Sequence, residues 1–144
     1  MVDMSFLDPP TSSDNHLILP VHCLRARLLV KKAIRNSTKK GIDPMTVVVD
    51  IGCSLRYATW AAHGFPCLTH TRCSSMAYWV ICRGRQVTLS ELVRGFGLNP
   101  CIFLKRVPAN MKETTIAGML GNSVGFGVCR SVLKAGLRAI SEQK

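Results

Sequence analysis

The sequence predicts an α+β fold, in which a small irregular β-sheet is combined with several helices. Two runs, 45–51 and 77–82, are rich in β-branched and aromatic residues and have the composition of buried strands. A helix is predicted over 88–95, because Thr88 and Glu91 stand three residues apart in the capping-box arrangement. These observations define the centre of the fold.

The chain before the first strand is predicted to be an irregular lead-in, 1–20, followed by a helix over 21–40. Prolines interrupt the lead-in, and Gly41 is the expected C-terminal end of the helix. Apolar residues at helical spacing form the expected buried stripe: Leu24, Leu28, Leu29, Val30 and Ile34. The basic residues off this stripe are expected on a solvated face, with phosphate contact as the alternative.

The connections are predicted from turn-forming residues. A loop is expected over 52–64, anchored by Tyr57 and Trp60, and a second over 99–112. Arg83-Gly84-Arg85 is predicted to be a tight basic turn.

Two helices are predicted after the second loop, over 113–120 and 124–140. We divide the chain into a lead-in with a basic helix, 1–44, and a main unit, 45–144.

Composition narrows the class of protein. A hydrophobic content of 47% excludes a wholly disordered chain, and no apolar run reaches the length of a membrane span. The net charge of +11 favours a polyanionic partner, most simply nucleic acid. No signal-like segment opens the chain, so we expect an intracellular protein, nuclear if eukaryotic, with no membrane partner. The seven cysteines are expected to be buried free thiols.

Three sequence segments resemble the C-terminal end of DNA cytosine-5 methyltransferases. The family's ninth motif is matched at Arg85, Thr88, Glu91, Arg94 and Gly97. The tenth motif, Gly-Asn-Ser-Val, is matched in full at 121–124. Just upstream of the ninth motif, Pro66-Cys-Leu-Thr-x-Thr-Arg72 is similar to the closing part of the target-recognition region. Val87 and Gly95-Phe96 depart from the family pattern.

The resemblance implies roles for particular residues. It implies DNA contact at Thr69, Thr71, Arg72 and Arg83, from hydroxyls and guanidinium groups that suit phosphates and base edges. It implies a structural role for the ninth-motif residues, through capping and ion pairing. It also places Asn122 and Ser123 beside the S-adenosylmethionine pocket, where the start of a helix would supply backbone donors.

The same comparison shows which family motifs this sequence lacks. The nucleophile motif Pro-Cys-Gln, the Glu-Asn-Val motif and the Phe-x-Gly-x-Gly cofactor loop do not occur. Cys67 and Cys101 each follow a proline, but neither is followed by the family's residue, and we reject both as nucleophiles. We therefore predict no catalytic residue, weak or no cofactor binding and no turnover by this chain alone.

The resulting hypothesis is a C-terminal fragment or truncated relative of such an enzyme, with a fold that lacks the main parallel sheet. Its partners would be DNA and, in a split enzyme, a chain that carries the missing catalytic half. The alternative hypothesis is a non-enzymatic, basic nucleic-acid-binding module. A zinc site formed by His63, Cys67, His70 and Cys73 is a further alternative, which we disfavour because no second cluster supports it.

Overall fold

The computed structural model describes residues 7, 19–20, 23–123, 130–135 and 138. Within these residues the α-helices are α1 (Leu24–Lys39), α2 (His70–Ser74), α3 (Leu89–Gly95), α4 (Pro100–Lys105) and α5 (Glu113–Gly121). The strands are β1 (Val47–Asp50), β2 (Trp60–Ala62), β3 (Tyr78–Val80) and β4 (Arg85–Gln86). Short 3₁₀ turns occupy Pro44–Thr46, Leu55–Tyr57 and Ile81–Arg83.

The strands form one antiparallel sheet in the order β2-β1-β3-β4. The predicted α+β class, a small irregular sheet with helices, is confirmed. The central pair aligns Val48 with Val80 and Val49 with Trp79. Because side chains alternate across a strand, these two pairs lie on opposite faces of the sheet.

Each face of the sheet carries its own hydrophobic core. On one face Val48 and Val80 pack with the apolar residues of α3 and α5, together with Tyr78. On the other face Val47 and Val49 pack against Leu29, Val30 and Ala33 of α1. All four residues of β1 are buried, which explains why its sequence is a continuous apolar run ending in Asp50. The sheet therefore separates α1 from α2, α3 and α5.

Helix α1 confirms the predicted helix, and it ends as expected at Gly41. That glycine has a φ of +70°, and the amides of Gly41 and Ile42 donate to the carbonyls of Thr38 and Ser37. This is the Schellman arrangement that a left-handed residue permits.

The predicted apolar stripe of α1 is wrong at two positions. Leu24 is 72% exposed and Leu28 is 42% exposed. Leu29 and Val30 of the predicted stripe are buried, and the other buried residues of α1 are Ala26, Ala33 and Ser37. Two alanines and a serine are small enough to bring α1 close to the sheet, and hydrophobicity alone did not identify them.

Both predicted loops contain regular structure. In the first, Trp60 begins strand β2, whereas Tyr57 is 66% exposed and is not an anchor. In the second, Asn99 caps α4 by accepting from the amides of Cys101 and Ile102, and Pro100 takes the first helical position. An Asn-Pro pair is a helix-start signal, and the loop prediction overlooked it.

The 66–76 segment contains helix α2, which was not among the predicted helices. Helix α3 begins at the predicted cap, and the 113–120 helix is present as α5. Most of the predicted 124–140 helix lies outside the described residues; 130–135 are helical. None of the helices in the described part of the chain has the length and hydrophobicity that crossing a bilayer requires.

Candidate functional site

Three of the four predicted DNA-contacting residues line one cleft of about 380 Å³. We call it the threonine cleft. Its lining residues come from the end of β1, the loop before β2 and the 67–72 segment: Asp50, Thr59, Cys67, Thr69, Thr71 and Arg72. The fold thus groups hydroxyls with one guanidinium and one carboxylate. Arg83 is not among the lining residues, because it lies in the 3₁₀ turn after β3.

Arg72 is bound inside the chain rather than extended toward solvent. Its Nε lies 3.1 Å from Oδ2 of Asp50, and its Nη1 donates to the carbonyl of Gly52 at 2.7 Å. Asp50 is 7% exposed, and its other carboxylate oxygen accepts from the amide of Gly52 at 2.9 Å. The carboxylate therefore holds both the turn after β1 and the guanidinium. The expected role of Asp50 as a turn-forming residue agrees with these bonds.

These bonds indicate a structural role for Arg72. Two of its nitrogen atoms are used by Asp50 and Gly52, so its main visible role is to fasten α2 to the end of β1. A β-carbon on Gly52 would lie 2.7 Å from Nη1 of Arg72, so this close approach requires glycine. Arg72 is half-buried and part of its guanidinium is engaged in these bonds, while its contact with DNA stays a prediction.

Thr69 and Thr71 are both exposed at the rim of the threonine cleft. Thr69 is the residue before α2, but its side chain makes no capping hydrogen bond. The structure therefore presents these two hydroxyls on the surface, at a place where a ligand could reach them.

The ninth-motif residues build a buried polar network at the start of α3. Glu91 is completely buried, and its two carboxylate oxygens accept from Nη1 and Nη2 of Arg85 at 3.0 and 2.9 Å. The same carboxylate accepts from the amide of Thr88, and the Thr88 hydroxyl accepts from the amide of Glu91. The predicted capping box is present. A bidentate pair of this kind satisfies a charge that burial would otherwise destabilise.

The other two ninth-motif positions lie at the end of the same helix. Gly97 has a φ of +77°, and the amides of Gly97 and Leu98 donate to the carbonyls of Arg94 and Val93. Helix α3 ends at Gly95, as predicted, and the left-handed Gly97 follows two residues later. A β-carbon on Gly95 would lie 2.7 Å from the Phe65 ring, so that glycine allows the helix to contact the 65–68 segment.

Asn122 and Ser123 terminate α5, and both are exposed. Their backbone amides donate to carbonyls of the last turn of α5, and the Ser123 hydroxyl donates to the carbonyl of Leu120 at 2.7 Å. These two amides are thus used within a helix C-terminus, and the helix start at 124 that the resemblance implied lies outside the described residues. Val124 lies outside the described residues.

Glycines bring α5 against α2. A β-carbon on Gly121 would lie 2.6 Å from Cα of His70, and one on Gly118 would lie 2.9 Å from Nε2 of His70. The first approach is backbone to backbone, so no side-chain movement could relieve it. Gly121, the first residue of the tenth motif, therefore has a packing function.

A second cleft, of about 530 Å³, is lined by three segments that are distant in sequence: 63–68, 94–96 and Ser123. We call it the shared cleft. Cys67 lines both clefts and is exposed, while its carbonyl accepts from the Tyr78 hydroxyl at 3.0 Å. The recognition-like segment and the two methyltransferase-like motifs thus meet at one place on the surface.

The cysteines do not all follow the prediction of buried thiols. Among the described residues Cys53 and Cys73 are buried, whereas Cys23, Cys67 and Cys101 are exposed. Burial raises the pKa of the Cys73 and Cys82 thiols, which keeps both protonated and unreactive at neutral pH. In the described part of the chain no group of three His, Cys, Asp or Glu residues is arranged to hold a metal ion.

The fold and these clefts define an α+β domain with a polar surface cleft and an excess of positive charge. The chain matches no family model, no curated protein and no solved structure.

Proposed function

We propose that this chain is the C-terminal part of a DNA cytosine-5 methyltransferase, carrying the end of the recognition lobe with the ninth and tenth motifs. The parent reaction transfers a methyl group from S-adenosylmethionine to C5 of cytosine in DNA. The observation that carries the proposal is the shared cleft, which is lined by all three segments that resemble the family. Segments that act as one functional unit must lie together. Segments this far apart in sequence lie together only because the fold brings them there.

The network at Arg85, Thr88 and Glu91 supports the same proposal. In the family the ninth motif chiefly maintains the shape of the recognition lobe, and here its polar residues hydrogen-bond one another. In this chain Thr69 and Thr71 remain the best candidates for DNA contact, because their hydroxyls are exposed. Arg72 supports the cleft from within.

The nucleophile and the principal cofactor motifs belong to the missing half in this proposal. Asn122 and Ser123 would then border the S-adenosylmethionine pocket through their exposed side chains, since their amides are bonded within α5. We expect weak or no S-adenosylmethionine binding by the chain alone.

A complementation assay tests the proposal. The chain is mixed with a cytosine-5 methyltransferase whose own ninth and tenth motifs have been deleted, and radiolabelled methyl transfer to duplex DNA is measured. We expect no transfer by either component alone and measurable transfer by the mixture. The Glu91→Ala variant should fail to restore transfer, whereas Glu113→Gln, a change at an exposed position, should restore it.

Two results would contradict the proposal. Absence of both transfer and association in the mixture would show that the motifs do not serve this function. Transfer by the chain alone would show that it contains its own nucleophile, and loss of that transfer in Cys67→Ala would identify it.

The second candidate is a non-enzymatic, basic nucleic-acid-binding module. It is favoured by α1, which carries six Lys and Arg residues and no acidic residue. This candidate predicts DNA binding without any complementation, so the same assay, combined with a binding measurement, separates the two functions.

A further inference from the structure

Helix α1 presents a positively charged face, which also carries the exposed Leu24 and Leu28. All six of its cationic residues are exposed: Arg25, Arg27, Lys31, Lys32, Arg35 and Lys39. At 3.6 residues per turn they lie opposite the side that packs on the sheet. No acidic residue within the helix can neutralise them. The charge of this face is therefore available to a partner.

A neighbouring turn extends this face. The Lys32 ammonium donates to the carbonyl of Leu55 at 2.8 Å, which joins the 3₁₀ turn Leu55–Tyr57 to α1. In that turn the Arg56 guanidinium lies 5.4 Å from the centre of the Tyr57 ring, and Tyr57 is 66% exposed. We define the basic surface as the six cationic residues of α1 together with Arg56 and Tyr57.

We propose that the basic surface binds the phosphate backbone of double-helical DNA. The proposal rests on the DNA-directed part of the proposed function and names a contact surface that the methyltransferase-like motifs do not include. The charge complementarity is direct, because duplex DNA carries about one negative charge per 1.7 Å of its axis. A 16-residue helix is about 24 Å long and so spans many phosphates.

The shape of the surface favours B-form DNA over other polyanions. A convex helix fits the major groove of B-DNA, which is about 12 Å wide. The corresponding groove of A-form RNA is too narrow for side chains to enter. A membrane-surface helix needs a broad apolar face to insert, and most of the apolar residues of α1 are buried on the sheet, with Leu29 and Ala33 at 0% exposure. Only Leu24 and Leu28 of α1 are exposed large apolar residues, and they lie among the cations.

Two triple variants with the same charge change test the proposal. The first is Arg27→Gln with Lys31→Gln and Arg35→Gln, on the basic surface. The matched control is Lys105→Gln with Arg106→Gln and Lys112→Gln, at exposed positions around α4 and before α5. Each lowers the net charge from +11 to +8, since 11 − 3 = 8.

Affinity for a fluorescent 20-base-pair duplex is measured by anisotropy over a range of salt concentrations. Loss of three phosphate contacts should reduce the slope of log affinity against log salt by about 3. The α1 variant should also bind at least about 10-fold more weakly at low salt, and the control should change the slope by less than about 1. Circular dichroism and thermal unfolding should be the same for both variants and the unmodified chain.

Equal weakening in the two variants would overturn the proposal, because it would show that total charge and not this surface governs binding. Tighter binding to anionic lipid vesicles or to double-stranded RNA than to the DNA duplex would overturn it too. If the α1 variant binds DNA as tightly as the unmodified chain, and binding depends instead on Thr69 and Thr71, only the proposal about the basic surface is refuted. That result would leave the proposed function to the complementation assay.

Discussion

The basic residues on the two sides of the sheet have opposite environments. On the side of α2, α3 and α5, Arg72 and Arg85 are fastened to Asp50 and Glu91, carboxylates that are 7% and 0% exposed. On the other side, α1 holds six cations and contains no carboxylate. The first set positions helices and strands, whereas the second set is presented to solvent.

The comparison teaches that an arginine in the sequence is not by itself a charge presented to solvent. The 69–85 segment is rich in arginine, and it was the predicted DNA-facing region. Its best-defined arginines serve the architecture, because each lies beside a buried carboxylate that would be strongly destabilised without it. The α1 cations, for which phosphate contact was the alternative to a solvated face, are all exposed, and phosphate contact by them stays a proposal.

The largest expected effect comes from breaking the ion pair on the packed side. Glu91→Ala leaves the Arg85 guanidinium and the Thr88 amide without their buried acceptor. We expect the free energy of unfolding to fall by about 3 kcal/mol. Urea denaturation measures it, and Glu113→Gln, at an exposed site, should change stability by less than about 0.5 kcal/mol. An unchanged free energy of unfolding in Glu91→Ala would show that the network does not stabilise this side of the sheet.

Packing between α2 and α5 gives the next effect. Gly121→Ala adds a methyl group 2.6 Å from Cα of His70, and backbone atoms cannot move aside. We expect a loss of about 2 kcal/mol in the free energy of unfolding, measured by thermal or urea denaturation. Gly64→Ala is the control, because no atom lies within 4 Å of its added β-carbon. Similar stability of the two variants would argue against close helix packing at Gly121.

A crossed pair of substitutions sharpens the difference between the two arginine sets. Arg72→Gln should lower stability by about 1 kcal/mol, discounted because its side chain is 31% exposed, and should leave the salt dependence of DNA binding unchanged. Arg35→Gln should leave stability unchanged and reduce the salt slope by about 1. The reverse pattern would restore Arg72 as a DNA contact and remove α1 from the interface.

The last effect concerns pH, and it also belongs to the packed side. Burial raises the pKa of Cys73 above its ordinary value of 9.0. The pKa of Tyr78 is raised too, chiefly by burial and secondly by the negative charge of a deprotonated Cys73. At alkaline pH the native state keeps the protons of the Cys73 thiol and the Tyr78 hydroxyl, whereas the unfolded state loses them. The stability they contribute is therefore complete below about pH 9 and is lost as the pH rises further.

Between its unfolded-state and native pKa, each such group should add up to about 1.4 kcal/mol per pH unit to the alkaline decline in unfolding free energy. Cys73→Ala should make that decline shallower, whereas Cys23→Ala, at an exposed position before α1, should not alter it. Urea denaturation between pH 8 and 10.5 provides the measurement. Equal slopes in the two variants would exclude Cys73 as a source of the decline.

Much of the fold could be predicted because its signals are local. Thr88 and Glu91 define a helix start within three residues, Gly41 and Gly97 define helix ends through their left-handed backbone, and the run Val47–Val49 defines a buried strand. The Asn99-Pro100 start of α4 was equally local and was overlooked. Helix α2 has only five residues, too few for periodicity to indicate it.

The sequence by itself determined the α+β class, the ends of the main helices, the capping network of α3 and the net charge of +11. Only the tertiary structure decided which arginines meet a carboxylate, which leucines of α1 remain exposed, and that 63–68, 94–96 and Ser123 form one cleft. Caps and turns depend on bonds between neighbours in the chain, which a sequence displays directly. Ion pairs and clefts depend on which distant segments the packed sheet brings within a few ångströms, so they appear only when the chain is folded.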